Sequence, residues 1–156
     1  MALKPDSLAQ ATTLIKGILL FSGCTDEQGQ ALVAGLEQLD FKKGKVILME
    51  QEISKTLYIL ASGSVGIWRR EGGEKVLVAT LKAPDFFGET SMFTESAATA
   101  LVKAEEDSRL FALKRSLFDI VLKKFPEVGP LVQKQIEVIK AARPSVVKPA
   151  KTSEES

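Results

Sequence analysis

The sequence predicts an α+β protein in which an antiparallel β-roll or β-sandwich is flanked by N-terminal and C-terminal helices. Three observations lead to this fold class. Apolar residues recur at helical spacing near both ends of the chain. Between residues 41 and 113 the sequence changes to short segments rich in Val, Ile and Leu. Gly and Pro turn signals separate these segments, so we expect consecutive strands joined by tight turns.

Two helices are predicted before the β-roll. Residues 6–21 form the first, because their apolar positions share one helical face: Leu8, Ala11, Leu14, Ile15, Ile18 and Leu19. Residues 26–38 form the second. Thr25 precedes Gln28 by three residues, which is the order of a capping box, and apolar residues follow at helical spacing.

The strands of the β-roll are predicted within residues 41–113. They are expected at 45–49, 56–60, 64–70, 74–81, 99–104 and 108–113. The turn signals between them include Gly44, Gly63, Gly72-Gly73 and Pro84-Asp85, and Gly72-Gly73 fits the tip of a hairpin.

Two further helices, residues 115–125 and 130–142, are predicted after the strands from the same apolar spacing. We treat residues 1–142 as one domain. Residues 143–156 contain Pro144 and Pro149 and no aromatic residue, so we expect a disordered tail.

Length and charge limit the classes of function. The 156 residues, 45% of them hydrophobic, suffice for one core and are short for two full domains. The net charge of +1 gives no global attraction to nucleic acid or to an anionic membrane. No apolar run approaches the ~20 residues that span a bilayer, and residues 1–10 lack the layout of a secretion signal. We therefore expect a cytoplasmic protein with no membrane partner.

The chain contains no histidine and a single cysteine, Cys24. Ser-His-Asp and Cys-His nucleophiles, imidazole ligation of a metal, and an intrachain disulfide or iron–sulfur cluster are therefore excluded. We expect no enzymatic activity, no metal site and no resident cofactor.

The most informative segment is residues 85–93, Asp-Phe-Phe-Gly-Glu-Thr-Ser-Met-Phe, followed by Ala98-Thr99-Ala100. Gly88 lets the backbone approach a ligand closely, and the following residues can open a short helix whose N–H groups face an anion. Glu89 supplies an acceptor for sugar hydroxyls. The alternative is an ordinary tight turn that closes the β-roll.

This segment resembles the phosphate-binding cassette of the cyclic-nucleotide-binding domain family, which includes Crp/Fnr-like, catabolite-activator-type regulators and the regulatory subunits of cyclic-AMP-dependent kinase. The family pattern is F-G-E, a few small or apolar residues, a short turn and R-[TSA]-A. Residues 57–63, Leu-Tyr-Ile-Leu-Ala-Ser-Gly, resemble the family's L-Y-x-[IL]-x-x-G motif. The resemblance implies an antiparallel, jelly-roll-like β-roll flanked by N-terminal and C-terminal helices as the fold, and a cyclic nucleotide as the candidate ligand. Its contacts would be Gly88, Glu89, Thr90, Ser91, Ala98 and Thr99.

The sequence departs from the family at the position of the phosphate-binding arginine, which is Ala98 here. A charge-assisted hydrogen bond of that kind contributes ~1.5–3 kcal/mol, so its loss is expected to weaken binding roughly 10- to 150-fold. Lys103, the nearest basic residue downstream, is expected to face outward. Gln51 and Ser54 also stand where the family usually has turn glycines.

Two other surfaces are candidates for binding. Trp68, Arg69 and Arg70 could form a stacking or anion-binding surface, or could simply serve packing and solubility. In the last helix, Val132, Ile136 and Ile139 form an apolar seam. The resemblance implies a lid over the pocket or a homodimer contact for this helix, and the alternative is packing on its own domain.

Two functions are consistent with these features. The first is a non-enzymatic regulatory module with a degenerate cyclic-nucleotide-binding domain that acts mainly through a protein partner. The second is a sensor that binds cyclic AMP, cyclic GMP or another nucleotide in the Gly88/Glu89 pocket and signals through the C-terminal helix. DNA is not expected as a partner, because catabolite-activator-type relatives carry a helix-turn-helix after this region and residues 143–156 are too few to build one.

Overall fold

The computed structural model describes residues 5–94 and 96–142. The predicted tail, residues 143–156, lies outside the described residues.

The described helices lie before and after the strands. The helices are α1 (Pro5–Gly17), α2 (Asp26–Ala34), α3 (Arg115–Lys124) and α4 (Val128–Ala142), with short 3-10 turns at Leu19–Phe21 and Glu89–Met92. The strands are β1 (Leu36–Phe41), β2 (Val46–Leu48), β3 (Ile53–Ser54), β4 (Thr56–Ser62), β5 (Ser64–Glu71), β6 (Glu74–Lys82), β7 (Phe86–Phe87), β8 (Ser96–Ala97), β9 (Leu101–Ala104) and β10 (Ser108–Lys114).

The described strands form a β-roll of two four-stranded sheets, in the orders β1-β10-β4-β7 and β2-β9-β5-β6, with a small β3-β8 pair beside them. The strand pairs are antiparallel. The predicted fold class, an antiparallel β-roll flanked by helices, is confirmed.

The second predicted helix, residues 26–38, is wrong at its C-terminal end. Helix α2 ends before Gly35, and residues 36–38 belong to β1. Leu36 and Gln38 pair with Leu113 and Phe111 of β10. Leu36 fits the helical spacing. In the structure, however, it pairs with the central strand β10, and its apolar side chain is buried in the core.

Other boundaries differ by smaller amounts. The helix predicted at residues 6–21 ends at Gly17 and is followed by the 3-10 turn. The C-terminal helices span Arg115–Lys124 and Val128–Ala142 instead of 115–125 and 130–142. The β-roll extends from Leu36 to Lys114 instead of 41–113. The strand predicted at 99–104 begins at Leu101, so Thr99 and Ala100 lie in the bend before it.

The core consists of two hydrophobic clusters on the two sides of one sheet. The outer cluster packs the helices against the sheet of β1, β10 and β4, and it includes Phe86, Phe111 and Phe118. The inner cluster fills the β-roll, and it includes Phe87 and Ile67. Adjacent residues of β7 therefore enter different clusters, which follows from the alternation of side chains along a strand.

The apolar seam of α4 faces the protein's own core. Val132, Ile136 and Ile139 are 1%, 5% and 7% exposed and belong to the outer cluster. Among the large apolar side chains that the structure describes on this helix, Val138 is exposed. These three side chains stabilise the domain, and homodimerisation through α4 stays a prediction.

We predict that Thr25→Ala destabilises the protein by ~1 kcal/mol, because it removes a helix cap. Both halves of the predicted capping box are present: Gln28 N donates to Thr25 Oγ1 at 3.2 Å, and Thr25 N donates to Gln28 Oε1 at 2.8 Å. Urea denaturation measures the change. Thr13→Ala, at an exposed position of α1, is the control and should be neutral or slightly stabilising. Equal effects of the two substitutions would contradict the capping role.

Candidate functional site

The segment that resembles the phosphate-binding cassette begins on the β-roll itself. Strand β7 pairs with β4 through Phe87 opposite Tyr58 and Phe86 opposite Ile59. Gly88 then turns the chain with a φ of 85°, and Glu89–Met92 form the short 3-10 helix. The two strands thus fix the position at which the cassette leaves the sheet.

Gly88 is required by close packing as well as by its dihedral angle. A Cβ atom at this position would lie 2.6 Å from the carbonyl oxygen of Thr56. No side chain fits there without moving β4, because such a distance is far below van der Waals contact. The sequence indicated that the Gly88 backbone approaches a ligand closely. In the structure, the close approach is to the Thr56 carbonyl of strand β4.

Glu89 is the charged residue at the centre of the cassette. Its side chain is only 4% exposed, and its Oε1 is buried without a hydrogen-bond partner. A buried carboxylate oxygen without a donor is costly, and such groups in native proteins call for an explanation. A ligand hydroxyl would provide the donor that the protein does not.

Ser91 is buried next to Glu89, whereas Thr90 is half-buried. Thr90 shapes the end of the turn, because its carbonyl accepts hydrogen bonds from the N–H groups of Phe93 and Thr94. The structure therefore brings Gly88, Glu89, Thr90 and Ser91 together in one turn, as their sequence positions require.

An aromatic stack joins the start of the cassette to strand β4. Tyr58 and Phe87 are stacked with ring centroids 5.0 Å apart and an interplanar angle of 19°. Burial raises the pKa of the Tyr58 phenol above its ordinary value, and the nearby Glu52 carboxylate raises it further. The hydroxyl therefore remains protonated at neutral pH and can donate a hydrogen bond. In the sequence, Tyr58 is marked only by its place in the motif of residues 57–63.

Ala98, at the family's arginine position, is held by its backbone. Its N–H donates to the Glu52 carbonyl at 2.8 Å, and its carbonyl accepts from Gln51 N at 2.7 Å. The side chain is half-buried and packs on the inner cluster. Position 98 therefore faces the interior of the β-roll, as a ligand-binding residue there would have to.

The loop that holds Ala98 contains a left-handed residue that is not glycine. Gln51 has a φ of 71°, a conformation that costs a side chain roughly 1–2 kcal/mol. The resemblance indicated a turn glycine in this region. The loop therefore keeps the left-handed turn although Gln51 stands in place of the glycine.

Lys103 lies on the outer face of the β-roll. Its Nζ is 4.8 Å from the centroid of the Trp68 ring, and Trp68 Nε1 donates to Glu105 Oε2 at 2.9 Å. Gly66 makes room for this arrangement, because a Cβ there would collide with both the indole and the carboxylate. Lys103 therefore does not replace the missing arginine.

The surface suggested for Trp68, Arg69 and Arg70 does not form as one unit. Trp68 lies on the outer face, and Arg70 donates to the Gly73 carbonyl at the hairpin tip. Arg69 falls between them in the sequence and therefore on the opposite face of strand β5.

Arg115 connects the cassette to the C-terminal helices. Its Nη2 donates to the Phe93 carbonyl at 3.2 Å, and its backbone N–H donates to the Lys55 carbonyl at 2.8 Å. The Phe93 ring meets Phe118 of α3 edge to face, with centroids 5.6 Å apart. Sequence reasoning missed Arg115, since its partner is a backbone carbonyl that no motif marks.

Comparison with known proteins identifies the family. Residues 38–125 match the sequence profile of the cyclic nucleotide-binding domain. This match covers more than half of the chain, so the chain belongs to the cyclic-nucleotide-binding domain family, and the resemblance is confirmed.

Individual relatives agree with this assignment. The chain is 30% identical over 116 residues to the cyclic AMP receptor protein of Thermus thermophilus, covering 74% of this chain and 54% of that protein. It is 30% identical over 94 residues, 60% of this chain, to the neuropathy target esterase sws of Drosophila ananassae, but covers only 6% of that protein. The chain thus spans about half of the first relative and a small part of the second. The name of the second relative shows that an enzyme can contain a segment similar to this chain.

A solved structure supports the fold. The crystal structure of the N-terminal domain of a transcriptional regulator from Streptomyces coelicolor superposes with a TM-score of 0.75 at 23% identity, covering 83% of this chain and 93% of that one. Within the described part of this chain, the helices are too short or too polar to cross a bilayer.

We predict that Gly88→Ala destabilises the protein more than Gly73→Ala does. Gly73 has nearly the same φ, 86°, but a Cβ there meets no atom within 4 Å. Gly73→Ala therefore incurs only the left-handed strain of roughly 1–2 kcal/mol, whereas Gly88→Ala adds the clash with the Thr56 carbonyl. Urea denaturation of both variants compares the two free energies. Equal losses would show that the cassette does not depend on this close approach.

Proposed function

We propose that this chain is a cytoplasmic, non-enzymatic regulatory module whose cassette binds a nucleotide through the ribose hydroxyls and signals through the C-terminal helices. The observation that supports this proposal is the buried, unpartnered Oε1 of Glu89. Cyclic AMP and cyclic GMP are the first ligands to test, because relatives include a protein named for cyclic AMP and a cyclic-GMP-dependent kinase.

The energetic argument starts from the carboxylate. A buried polar atom without a partner costs roughly 1–3 kcal/mol, and a charged one costs more. A ribose hydroxyl that donates to Glu89 would remove this cost on binding. Glu89 Oε1 lacks a hydrogen bond in the free protein and would have one in the complex. Tyr58, which stacks on the buried ring of Phe87, is half-buried, and its ring would be the apolar surface that contacts the rest of the ligand.

The route from the cassette to the helices is built from direct contacts. Phe93 packs on Phe118, and Arg115 at the start of α3 holds the Phe93 carbonyl. Helix α3 packs against α4, where Gly129 lies close to the Leu122 side chain. Gln28 of α2 also donates to Glu127, just before α4, at 2.7 Å. A ligand that shifts the cassette would therefore move α3 first and α4 through it.

A second candidate function is binding of a protein partner with the pocket empty, as a degenerate domain would do. It is favoured by apolar side chains exposed on the two C-terminal helices, Ile120 at 60% and Val138 at 45%. Such residues are common singly on soluble proteins. We therefore rank ligand binding above it. The two functions are compatible, because the exposed residues lie on the helices that the ligand would move.

We predict that Glu89→Ala weakens nucleotide binding at least tenfold without a matching loss of stability. The substitution removes both the acceptor and the buried charge, so the free energy of unfolding without ligand should fall by no more than ~1 kcal/mol. Isothermal titration calorimetry with cyclic AMP, cyclic GMP and cyclic dinucleotides measures binding, and urea denaturation measures stability.

Glu137→Ala, at an exposed position of α4, serves as the control and should change neither quantity. Two results would contradict the proposal: wild-type protein that binds none of these nucleotides at millimolar concentration, or binding that survives Glu89→Ala unchanged. The first result combined with capture of a protein partner at Ile120 and Val138 would favour the second candidate.

A further inference from the structure

Arg69 lies on the face of strand β5 that points into the β-roll. Val65 and Ile67 are fully buried in the inner cluster, while Trp68 lies on the outer face against Lys103 and Glu105. Side chains alternate along a strand, so Arg69 shares the inner face with Val65 and Ile67. It is half-buried, and its Nε is buried.

The β-bulge in this hairpin does not disturb the alternation on β5. Ile67 pairs with Ala79 and the next residue, Trp68, pairs with Leu77, so the extra residue, Val78, belongs to β6. The successive residues of β5 therefore keep the two-residue period through Arg69.

The register between β5 and β9 places Arg69 beside the second half of the cassette. Ile67 pairs with Val102 and Trp68 pairs with Leu101. Continued by one residue, this register sets Arg69 opposite Ala100 and diagonal to Ala98. Diagonal neighbours in an antiparallel pair are ~7–8 Å apart, within reach of a long side chain.

The bend at Thr99 and Ala100 does not turn Ala98 away from this face. Ala98 and Ala100 both belong to the inner cluster together with Val102. Each of these two alanine side chains is a single methyl group, so both are much shorter than the arginine that the family carries at position 98.

The other arginines in the part of the chain that the structure describes are engaged elsewhere. Arg70 donates to Gly73 at the hairpin tip, Arg109 pairs with Asp40 at 3.0 Å, and Arg115 holds the Phe93 carbonyl. Arg69 also interacts with other groups of the protein. A guanidinium has five N–H donors, so it can hold an anion beside such a partner.

We propose that Arg69 supplies, from the neighbouring strand, the positive charge that Ala98 does not, and that its guanidinium binds the phosphate of a nucleotide held in the cassette. This inference rests on the proposed function, because it concerns the same ligand. Glu89 accepts hydrogen bonds from the sugar hydroxyls, and Arg69 binds the phosphate. A half-buried guanidinium suits this role, because partial exclusion of water strengthens its interaction with an anion and its planar donors can bind two phosphate oxygens.

Titration of the full chain with three probes tests the proposal. Cyclic AMP carries both the sugar and the phosphate, adenosine lacks the phosphate, and inorganic phosphate lacks the sugar. The variants are Arg69→Gln, the matched control Arg70→Gln on the adjacent residue, and Arg69→Gln combined with Ala98→Arg. Thermal unfolding checks that each variant is folded.

Wild-type protein is expected to bind cyclic AMP more tightly than adenosine. Arg69→Gln should lower the affinity for cyclic AMP roughly 10- to 150-fold and leave adenosine binding unchanged. Arg70→Gln should change neither, and Ala98→Arg should restore cyclic AMP binding in the Arg69→Gln background. Should Arg69→Gln not fold, Arg69→Lys preserves the charge, and its affinity for cyclic AMP should lie between the wild-type value and that for adenosine.

Equal weakening of cyclic AMP and adenosine by Arg69→Gln or Arg69→Lys would assign Arg69 a structural role and overturn the proposal. Wild-type protein that binds adenosine as tightly as cyclic AMP would also overturn it while leaving the hydroxyl-binding role of Glu89 intact. Arg69-dependent binding of inorganic phosphate without nucleoside binding would support the phosphate site and contradict the proposed function. Absence of binding for all three probes would reject both.

Discussion

The close approach of the Gly88 backbone to the carbonyl oxygen of Thr56 is the constraint on which the site depends. Because Gly88 has no Cβ, strand β7 can lie against β4, and the chain can leave the sheet directly after β7 in a left-handed turn. Phe86 and Phe87 then enter two different clusters. The cassette is therefore attached at its first residues to both the helical core and the interior of the β-roll.

This attachment gives the site two sides with different roles. Toward the helices, Phe93 and Arg115 connect the cassette to α3. Toward the interior, the small side chains of Ala98 and Ala100 lie in the inner cluster. The buried carboxylate of Glu89 lies in the 3-10 turn that follows strand β7. Glu89 therefore comes shortly after the two residues of β7 that enter the outer and the inner cluster.

The fold could be predicted from the sequence because its signals are local. Helical spacing, Gly-rich turns and the order of Thr25 and Gln28 each determine a nearby piece of backbone, and the capping box is present as predicted. The helix predicted at 26–38 extended too far because Leu36 satisfies both a helical and a strand pattern. Only the long-range pairing with β10 decides between them.

The site was only partly predictable. The residues of one turn, Gly88 to Ser91, could be placed together because they are consecutive. The position of Arg69 could not, since it depends on the pairing of β5 with β9 and on a bulge that falls in β6. In the sequence, Arg69 looks like part of a basic surface with Arg70. The alternation of the strand separates the two.

The central claim is that the interior of the β-roll binds a nucleotide between Glu89 and Arg69. A crystal structure of the protein with cyclic AMP tests it most directly. We expect a ribose hydroxyl within hydrogen-bond distance of Glu89 Oε1 and a phosphate oxygen within hydrogen-bond distance of the Arg69 guanidinium. A nucleotide bound outside the roll, or one whose phosphate contacts neither Arg69 nor the cassette, would contradict the account.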